Sequence, residues 1–220
     1  MKLIYISVEG ETEEGFVRDV LTPHLAQFQL HLIYTLLTTK IADVAKKGGF
    51  PKYDKVKKQV QSLLKIKQAI AVTTMYDLYA LPKDFPGVAT KPNGTGHDKV
   101  KYLEQAFEKD ISDSRFHPYL QLHEFEAFLF VNPEITAQEL SLAKVEAGKL
   151  AAIRRKFNSP EDINDDPTTR PSARILTLKP SYEKPIEGVI VTTTVGLEAI
   201  RQSCPHFNEW LTWLESLGKN

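Results

Sequence analysis

Three acidic residues stand at the ends of short apolar runs in this 220-residue sequence. Glu9 follows the run at residues 2–8, and Asp77 and Glu124 follow two later runs. If these runs are neighbouring strands of a parallel sheet, their ends meet at one edge, where such sheets form their ligand crevice. Glu13 lies four positions after Glu9, so a helix that begins there places both carboxylates on one face. The pattern therefore predicts an acidic cleft.

Several carboxylates in one cleft repel each other, and either protonation or a bound cation must relieve that repulsion. Oxygen ligands favour a hard ion, Mg²⁺ or Mn²⁺, over zinc. A magnesium ion held by carboxylates takes phosphate oxygens as its remaining ligands, which indicates phosphoryl-transfer chemistry. The alternative for each acid taken alone is an ordinary helix cap or a solvated loop residue.

The elements that must position these acids alternate along the chain. Strands are predicted at residues 2–8, 30–38, 69–76 and 118–122. Helices are predicted from an N-cap at Thr12, at 52–66, 97–111 and 136–157, and as two short helices near 195–202 and 207–217. Strands that alternate with helices predict an α/β fold of Rossmann type, with a mostly parallel sheet and helices on both faces.

The remaining segments define the expected domain organisation. Residues 125–130 either continue the fourth strand or begin a helix. Residues 81–96 and 158–171 are rich in turn-forming residues, which predicts two loops, and the end of the first is expected to lie over the cleft. We expect an α/β core at residues 1–132 and a mainly helical C-terminal part at 133–220, packed on the same core.

The composition excludes several classes of protein. The 28 Lys and Arg residues balance 28 Asp and Glu residues, so nucleic-acid binding must depend on local patches. Cys204 is the only cysteine, so neither an internal disulfide nor a thiolate metal cluster is possible. No segment approaches 18 consecutive apolar residues, which predicts a cytoplasmic protein without membrane contact.

Several motifs resemble a known family. The segment VEGETEE at residues 8–14 resembles the EGxTE signature of Toprim domains in overcoming-lysogenization-defect type nucleases. Four further blocks, at 75–87, 119–130, 179–184 and 196–215, resemble a bacterial family of Toprim-like proteins that is classified as a domain of unknown function. The resemblance spans nearly the whole chain and implies a Toprim-like version of the predicted fold.

The resemblance also implies roles for the first acids. In Toprim enzymes, the acid after the first strand is a general acid/base or a metal ligand, and an Asp-x-Asp after a later strand holds Mg²⁺. Glu9, Glu13 and Asp77 take these catalytic and metal-binding roles here. The sequence departs from the pattern at Tyr79, which replaces the second Asp. Asp84 lies too far along the loop to replace it simply.

Related nucleases place a further acidic pair and then a lysine downstream. The acids fall on Glu124 or Glu126, which are both candidate metal ligands, and Glu126 is a candidate to complete the site that Tyr79 weakens. The lysine falls on Lys179 or Lys184, and either could neutralise charge that develops on a phosphate. The alternative for both lysines is a solvated loop.

Two functions follow from these observations. The first is a nuclease that uses Mg²⁺ or Mn²⁺ to hydrolyse phosphodiester bonds of DNA or RNA, as the effector of an anti-phage defence system with a partner ATPase of the AAA or ABC type. The second is a non-catalytic Toprim-like subunit that binds nucleic acid or an ATPase. The ATPase partner and the defence role are implied by the resemblance alone.

A basic strip could supply the contacts to a nucleic-acid backbone. Residues 40–67 contain nine Lys and two Asp, and Phe50 and Tyr53 within the strip could stack on exposed bases. The alternative is that the lysines only solvate the outer face of an amphipathic helix.

Overall fold

The computed structural model describes residues 1–37, 50–163 and 166–219. The strands formed by these described residues are β1 (Lys2–Val8), β2 (Leu30–Leu36), β3 (Ala69–Asp77), β4 (Phe116–His117) and β5 (Leu120–Gln121). They pair in parallel in the order β2-β1-β3-β4, and β5 pairs with β3 further along its length. The predicted α/β fold with a parallel sheet is confirmed.

The predicted fourth strand is divided into β4 and β5. Pro118 lies between the two pieces and has no N–H to donate to the ladder. A side chain of β3 bridges the gap, because the Thr74 hydroxyl accepts a hydrogen bond from the Tyr119 N–H (3.1 Å) and donates one to the Tyr119 carbonyl (3.0 Å). The chain therefore stays aligned along β3 as far as Asp77.

The first helical segment follows β1 directly. It consists of α1 (Glu11–Phe16), a π-helical turn (Val17–Leu21) and α2 (Thr22–Ala26). The N-cap is Gly10, two positions before the predicted cap at Thr12, whose side chain is buried inside the first turn. The π-helical turn lies just before Pro23, and Pro23 interrupts the regular helical pattern because it cannot donate a backbone hydrogen bond.

One face of the sheet is covered by α3 (Tyr53–Leu64) and α4 (Gly96–Ile111). These helices bury apolar residues at helical spacing, among them Val56 and Val60 of α3 and Val100 and Phe107 of α4. The start of α4 is fixed by Thr95, whose hydroxyl accepts a hydrogen bond from the Asp98 N–H (3.1 Å).

The other face is covered by α1, α2 and the C-terminal helices. The latter are α5 (Pro133–Glu139), α6 (Lys144–Arg154), α7 (Pro171–Leu178), α8 (Val189–Val195), α9 (Leu197–Ser203) and α10 (Pro205–Ser216). Their apolar residues share one hydrophobic core with β1, in which Phe207 of α10 and Phe16 of α1 pack ring to ring. The single helix predicted at 136–157 is wrong, because Ser141, in the left-handed region (φ 52°), separates α5 from α6.

Two segments between the elements differ from the sequence prediction. Phe125–Phe130 forms a buried 3₁₀ helix. The predicted loop at 158–171 carries the fully buried Glu161, whose carboxylate accepts the N–H groups of His206 and Phe207 at the start of α10 (2.9 and 3.0 Å). Among the described residues, no helix is long and apolar enough to cross a membrane.

Candidate functional site

Four carboxylates surround one ammonium group at the carboxyl ends of β1 and β3. The Lys184 Nζ lies 3.2 Å from Asp77 Oδ2, 3.3 Å from Glu126 Oε2 and 3.7 Å from Glu13 Oε1. Glu9 joins this group through Asp77, whose N–H donates to Glu9 Oε2 (3.0 Å). We call these five residues the acidic cluster.

The sheet edge positions Glu9 and Asp77. Glu9 directly follows β1, and its N–H donates to the Met75 carbonyl of β3 (3.2 Å), which continues the pairing of the two strands. Asp77 is the last residue of β3, and its Oδ1 accepts the Phe125 N–H (2.8 Å) at the start of the 3₁₀ helix. The two carboxylates are therefore held by backbone groups of adjacent elements.

The remaining members of the acidic cluster lie on helical segments. Glu13 lies in the first turn of α1, where its Oε2 accepts the Gly10 N–H (2.9 Å). Glu126 lies in the 3₁₀ helix and is only 1% exposed. Lys184 begins a π-helical turn (Lys184–Gly188) before α8 and is half-buried.

Burial and mutual repulsion change the protonation of the acidic cluster. Burial raises the pKa of Glu9 well above its ordinary value, and the charges of Asp77 and Glu13 add to this. Burial likewise raises the pKa of Glu13, and it raises the pKa of Glu126 to about 7. Burial lowers the pKa of Lys184, but the surrounding carboxylates outweigh this effect and raise that pKa well above its ordinary value.

Glu124, a predicted metal ligand, contacts the start of α7 and is not among the ion-pair partners of Lys184. Its Oε2 accepts the Ser172 N–H (2.9 Å), and its Oε1 accepts the Ser172 hydroxyl (3.0 Å) and lies 3.2 Å from Arg170 Nε. Glu124 thus accepts a backbone N–H group of the first turn of α7, which has no partner within the helix. Its oxygens already have partners, whereas Glu126 presents an oxygen to Lys184.

The two candidate lysines occupy different places. Lys179 donates to the Leu140 carbonyl (2.8 Å) and pairs with Glu187, so it ties the end of α7 to the end of α5 and to the π-helical turn before α8. Lys184 is the lysine that contacts the carboxylates of the acidic cluster. Asp84 lies outside the acidic cluster, where its carboxylate accepts the Tyr53 N–H (3.3 Å).

The acidic cluster offers the type of ligand that a hard divalent ion takes, but its side chains are not gathered around one point. Two deeply buried carboxylate oxygens, Glu13 Oε1 and Glu126 Oε2, have no hydrogen-bond partner. They are oxygen ligands, as Mg²⁺ and Mn²⁺ require, and both face the space that the Lys184 ammonium occupies. In this arrangement, no three His, Cys, Asp or Glu side chains of the described residues converge closely enough to hold an ion.

The basic strip is described only in part, because residues 38–49 lie outside the described residues. The proposed stacking residues have their rings in internal contacts. The ring of Phe50 packs edge-on against Tyr76 (5.3 Å between centroids), and that of Tyr53 packs against Phe85 and Phe107. The Tyr53 hydroxyl is hydrogen-bonded to Asp110.

Three residues near Glu124 and Asp77 were not predicted to act at the site: Arg170 and Ser172 contact Glu124, and Tyr79 follows Asp77 by two residues. The Arg170 guanidinium lies over the Tyr79 ring, 4.3 Å from its centroid. The only sequence signal was that Tyr79 stands where the family pattern has an Asp. Arg170 and Ser172 had none, because α7 approaches Glu124 only through tertiary packing.

Comparisons with known proteins identify a family for this chain. Residues 8–215 match the family described as domain of unknown function (DUF4276). No curated protein and no solved structure matches the chain. The predicted membership of a family of unknown function is thus confirmed, and the relation to Toprim nucleases stays a prediction. Since the match covers nearly all of its length, the chain belongs to the DUF4276 family.

Proposed function

We propose that the acidic cluster is the centre of a Toprim-type nuclease that uses Mg²⁺ or Mn²⁺ to hydrolyse phosphodiester bonds. One observation carries the proposal: Glu13 Oε1 and Glu126 Oε2 are buried without a hydrogen-bond partner and face a common cation. Buried carboxylate oxygens without a hydrogen bond are costly, and a bound ion is one way in which such oxygens are satisfied.

The order of the elements supports the same proposal. The resemblance implies one essential acid after the first strand and another after a later strand. Glu9 and Asp77 occupy these positions on adjacent strands. Glu126, rather than Glu124, is the downstream acid that faces Lys184. Glu9, Glu13, Asp77 and Glu126 are the residues that would hold the metal.

Each residue has a chemical role in this proposal. A bound divalent ion would supply activation of the attacking water and stabilisation of the leaving oxygen. Glu9 has a raised pKa and is half-buried, so it can exchange a proton with a group that enters the cleft. The Lys184 ammonium occupies the space between Glu13 and Glu126 that the ion would take, so the ammonium would move out of that space and neutralise charge that develops on the phosphate.

A specific observation favours a second candidate, a non-catalytic subunit that binds nucleic acid or an ATPase. The Lys184 ammonium already compensates part of the negative charge, and Tyr79 removes one expected ligand. In this case Lys184 would be a permanent substitute for the metal. The ATPase partner of the AAA or ABC type and the anti-phage role are proposed for both candidates on the resemblance alone, and the cytoplasmic location is proposed on the apolar pattern of the sequence.

Metal binding separates the two candidates. We would titrate the EDTA-treated and dialysed protein with Mn²⁺ by calorimetry and compare wild type with Glu126→Gln. Glu11→Gln is the matched control, because Glu11 is an exposed carboxylate two residues from Glu13 on the same helix. The nuclease proposal predicts that wild type and Glu11→Gln bind Mn²⁺ and that Glu126→Gln binds at least tenfold more weakly. Equal or absent binding in all three proteins would reject it.

A further inference from the structure

Tyr79 lies in a 3₁₀ turn (Leu78–Ala80) that follows Asp77 of the acidic cluster. Its side chain is 39% exposed, although one face of its ring is covered by Arg170. The Tyr79 N–H donates to the His123 carbonyl (3.0 Å), which fixes the backbone between β3 and the 3₁₀ helix. An aromatic ring is thus held in place, partly open to solvent, just beyond the carboxyl end of β3.

Tyr79 also lines a pocket of about 240 Å³ on the side towards α4. The pocket is lined by apolar residues that include Leu81 and Leu103, and by two lysines, Lys91 and Lys99. Lys91 belongs to the loop between β3 and α4, and Lys99 to the first two turns of α4. The pocket therefore combines an aromatic ring, apolar surface and positive charge.

The two lysines of this pocket form no ion pair with other described residues. Lys91 is exposed and Lys99 is half-exposed, and neither forms an ion pair within the described part of the chain. Many other basic residues of the chain have partners, such as Lys57 with Asp110 and Lys101 with Glu209. Two ammonium groups without an ion-pair partner among the described residues attract an anion to this spot.

We propose that this pocket binds one unpaired nucleotide of a single-stranded nucleic acid, next to the phosphodiester bond that is cleaved. The inference rests on the proposed function and names its substrate class. The Tyr79 ring provides a stacking surface for a base, and Lys91 and Lys99 contact a phosphate. A base within a duplex is already stacked and paired, so it does not present a face to Tyr79.

The test is a binding measurement without cleavage. Fluorescence anisotropy of a fluorescein-labelled 20-nucleotide single strand, and of its duplex, is measured in EDTA with the full-length chain. The variants are Tyr79→Ala, Tyr79→Phe and the double variant Lys91→Ala/Lys99→Ala. Lys83→Ala is the matched control, because Lys83 is an exposed lysine of the same loop that does not line the pocket. Thermal melting establishes that each variant is folded.

We expect the single strand to bind more tightly than the duplex. Tyr79→Ala should weaken binding about 5- to 150-fold, while Tyr79→Phe and Lys83→Ala stay within about twofold of wild type. The double lysine variant should reduce the slope of log K against log salt by about 0.7 for each phosphate contact that is lost.

Three results would overturn the inference: a wild type that binds no strand, a duplex bound as tightly as the single strand, or folded pocket variants that bind like Lys83→Ala. These results are independent of the proposed nuclease activity, because no divalent ion is present. A protein that binds single strands through Tyr79 but shows no metal binding would retain this inference and lose the nuclease.

Discussion

At the scale of single residues, the central feature is one ammonium group among four carboxylates. Lys184 contacts Asp77, Glu126 and Glu13, and its pKa is raised because those charges outweigh its burial. A raised lysine pKa means that its stabilising effect is fully present below the ordinary value of 10.5 and is lost only at higher pH. Lys184 therefore stabilises the metal-free protein at neutral pH.

Lys184→Met should destabilise the metal-free protein. Loss of one partner of a buried pair costs about 3–5 kcal/mol, and we expect about 2 kcal/mol because the Lys184 side chain is 36% exposed. Mn²⁺ should raise the melting temperature of Lys184→Met more than that of wild type, since no ammonium competes with it. Chemical denaturation at pH 8 measures the first effect, with Lys184→Arg as the control that keeps the charge. Equal stability of wild type and Lys184→Met would contradict this role.

Glu126 should make the stability of the metal-free protein depend on pH. Its pKa is raised from 4.5 to about 7, so the folded state holds a proton that the unfolded state has lost between these values. The stabilising contribution is complete below about pH 4.5 and is lost as the pH rises through 7. Relative to wild type, Glu126→Gln should therefore gain roughly 2–3 kcal/mol of unfolding free energy between pH 5 and pH 8.

Denaturation curves in EDTA across that pH range measure the difference between wild type and Glu126→Gln. The control is Glu11→Gln, which changes an exposed carboxylate of α1. A difference between wild type and Glu126→Gln that does not vary with pH would show that Glu126 is ionised throughout the range.

At the scale of elements, the acidic cluster depends on the close approach of α1 and α8. Gly15 of α1 faces Val189, the first residue of α8, and a Cβ at Gly15 would lie 2.6 Å from Val189 Cγ2. Val189 follows the π-helical turn that carries Lys184. The absence of a side chain at Gly15 therefore lets Lys184 reach Glu13.

Gly15→Ala should destabilise the protein by about 1–3 kcal/mol, because the added methyl group overlaps a branched side chain in a packed core. Gly148→Ala in α6 is the matched control: nothing lies within 4 Å of its added Cβ, and alanine should stabilise that helix by up to about 1 kcal/mol. Thermal melts of both variants test this contrast. Equal effects of the two substitutions would show that α1 and α8 are not in tight contact.

The sequence predicted the strands better than the later helices. The strand at Lys2–Val8 was predicted correctly, because strands of a buried parallel sheet are continuous apolar runs that end abruptly at polar residues. The break at Ser141 was missed, because the periodicity of α5 and α6 resembles that of one helix. The buried cap at Glu161 was missed as well, since its partners lie 45 and 46 residues away.

The candidate site was predictable in the same uneven way. The meeting of Glu9 and Asp77 could be predicted, because the apolar runs before them indicated parallel strands, and the ends of adjacent parallel strands lie together. The choice between Lys179 and Lys184 did not follow, because it depends on how α8 packs on α1. The sequence also did not predict that Glu124 and Glu126 contact different partners, because this depends on the 3₁₀ helix and on Ser172 of α7.

At the scale of the whole molecule, opposite charges lie side by side in a chain of zero net charge. The acidic cluster occupies the carboxyl ends of β1 and β3, and the pocket with Lys91 and Lys99 lies beside it. In the proposed function, the basic pocket would hold a phosphodiester chain while one phosphate enters the acidic cluster. This arrangement requires both sites at the same edge of the sheet, and Asp77 and Tyr79 both stand at the carboxyl end of β3.

The central claim is that the acidic cluster hydrolyses phosphodiester bonds with a divalent ion. The most direct measurement is cleavage of labelled single-stranded DNA and RNA with Mg²⁺ or Mn²⁺ against EDTA, using wild type, Glu9→Gln, Asp77→Ala and the control Glu11→Gln. We predict metal-dependent fragments from wild type and Glu11→Gln and at least a hundredfold slower cleavage by the other two. Cleavage that persists in EDTA, or that Glu9→Gln and Asp77→Ala retain at the wild-type rate, would contradict the claim.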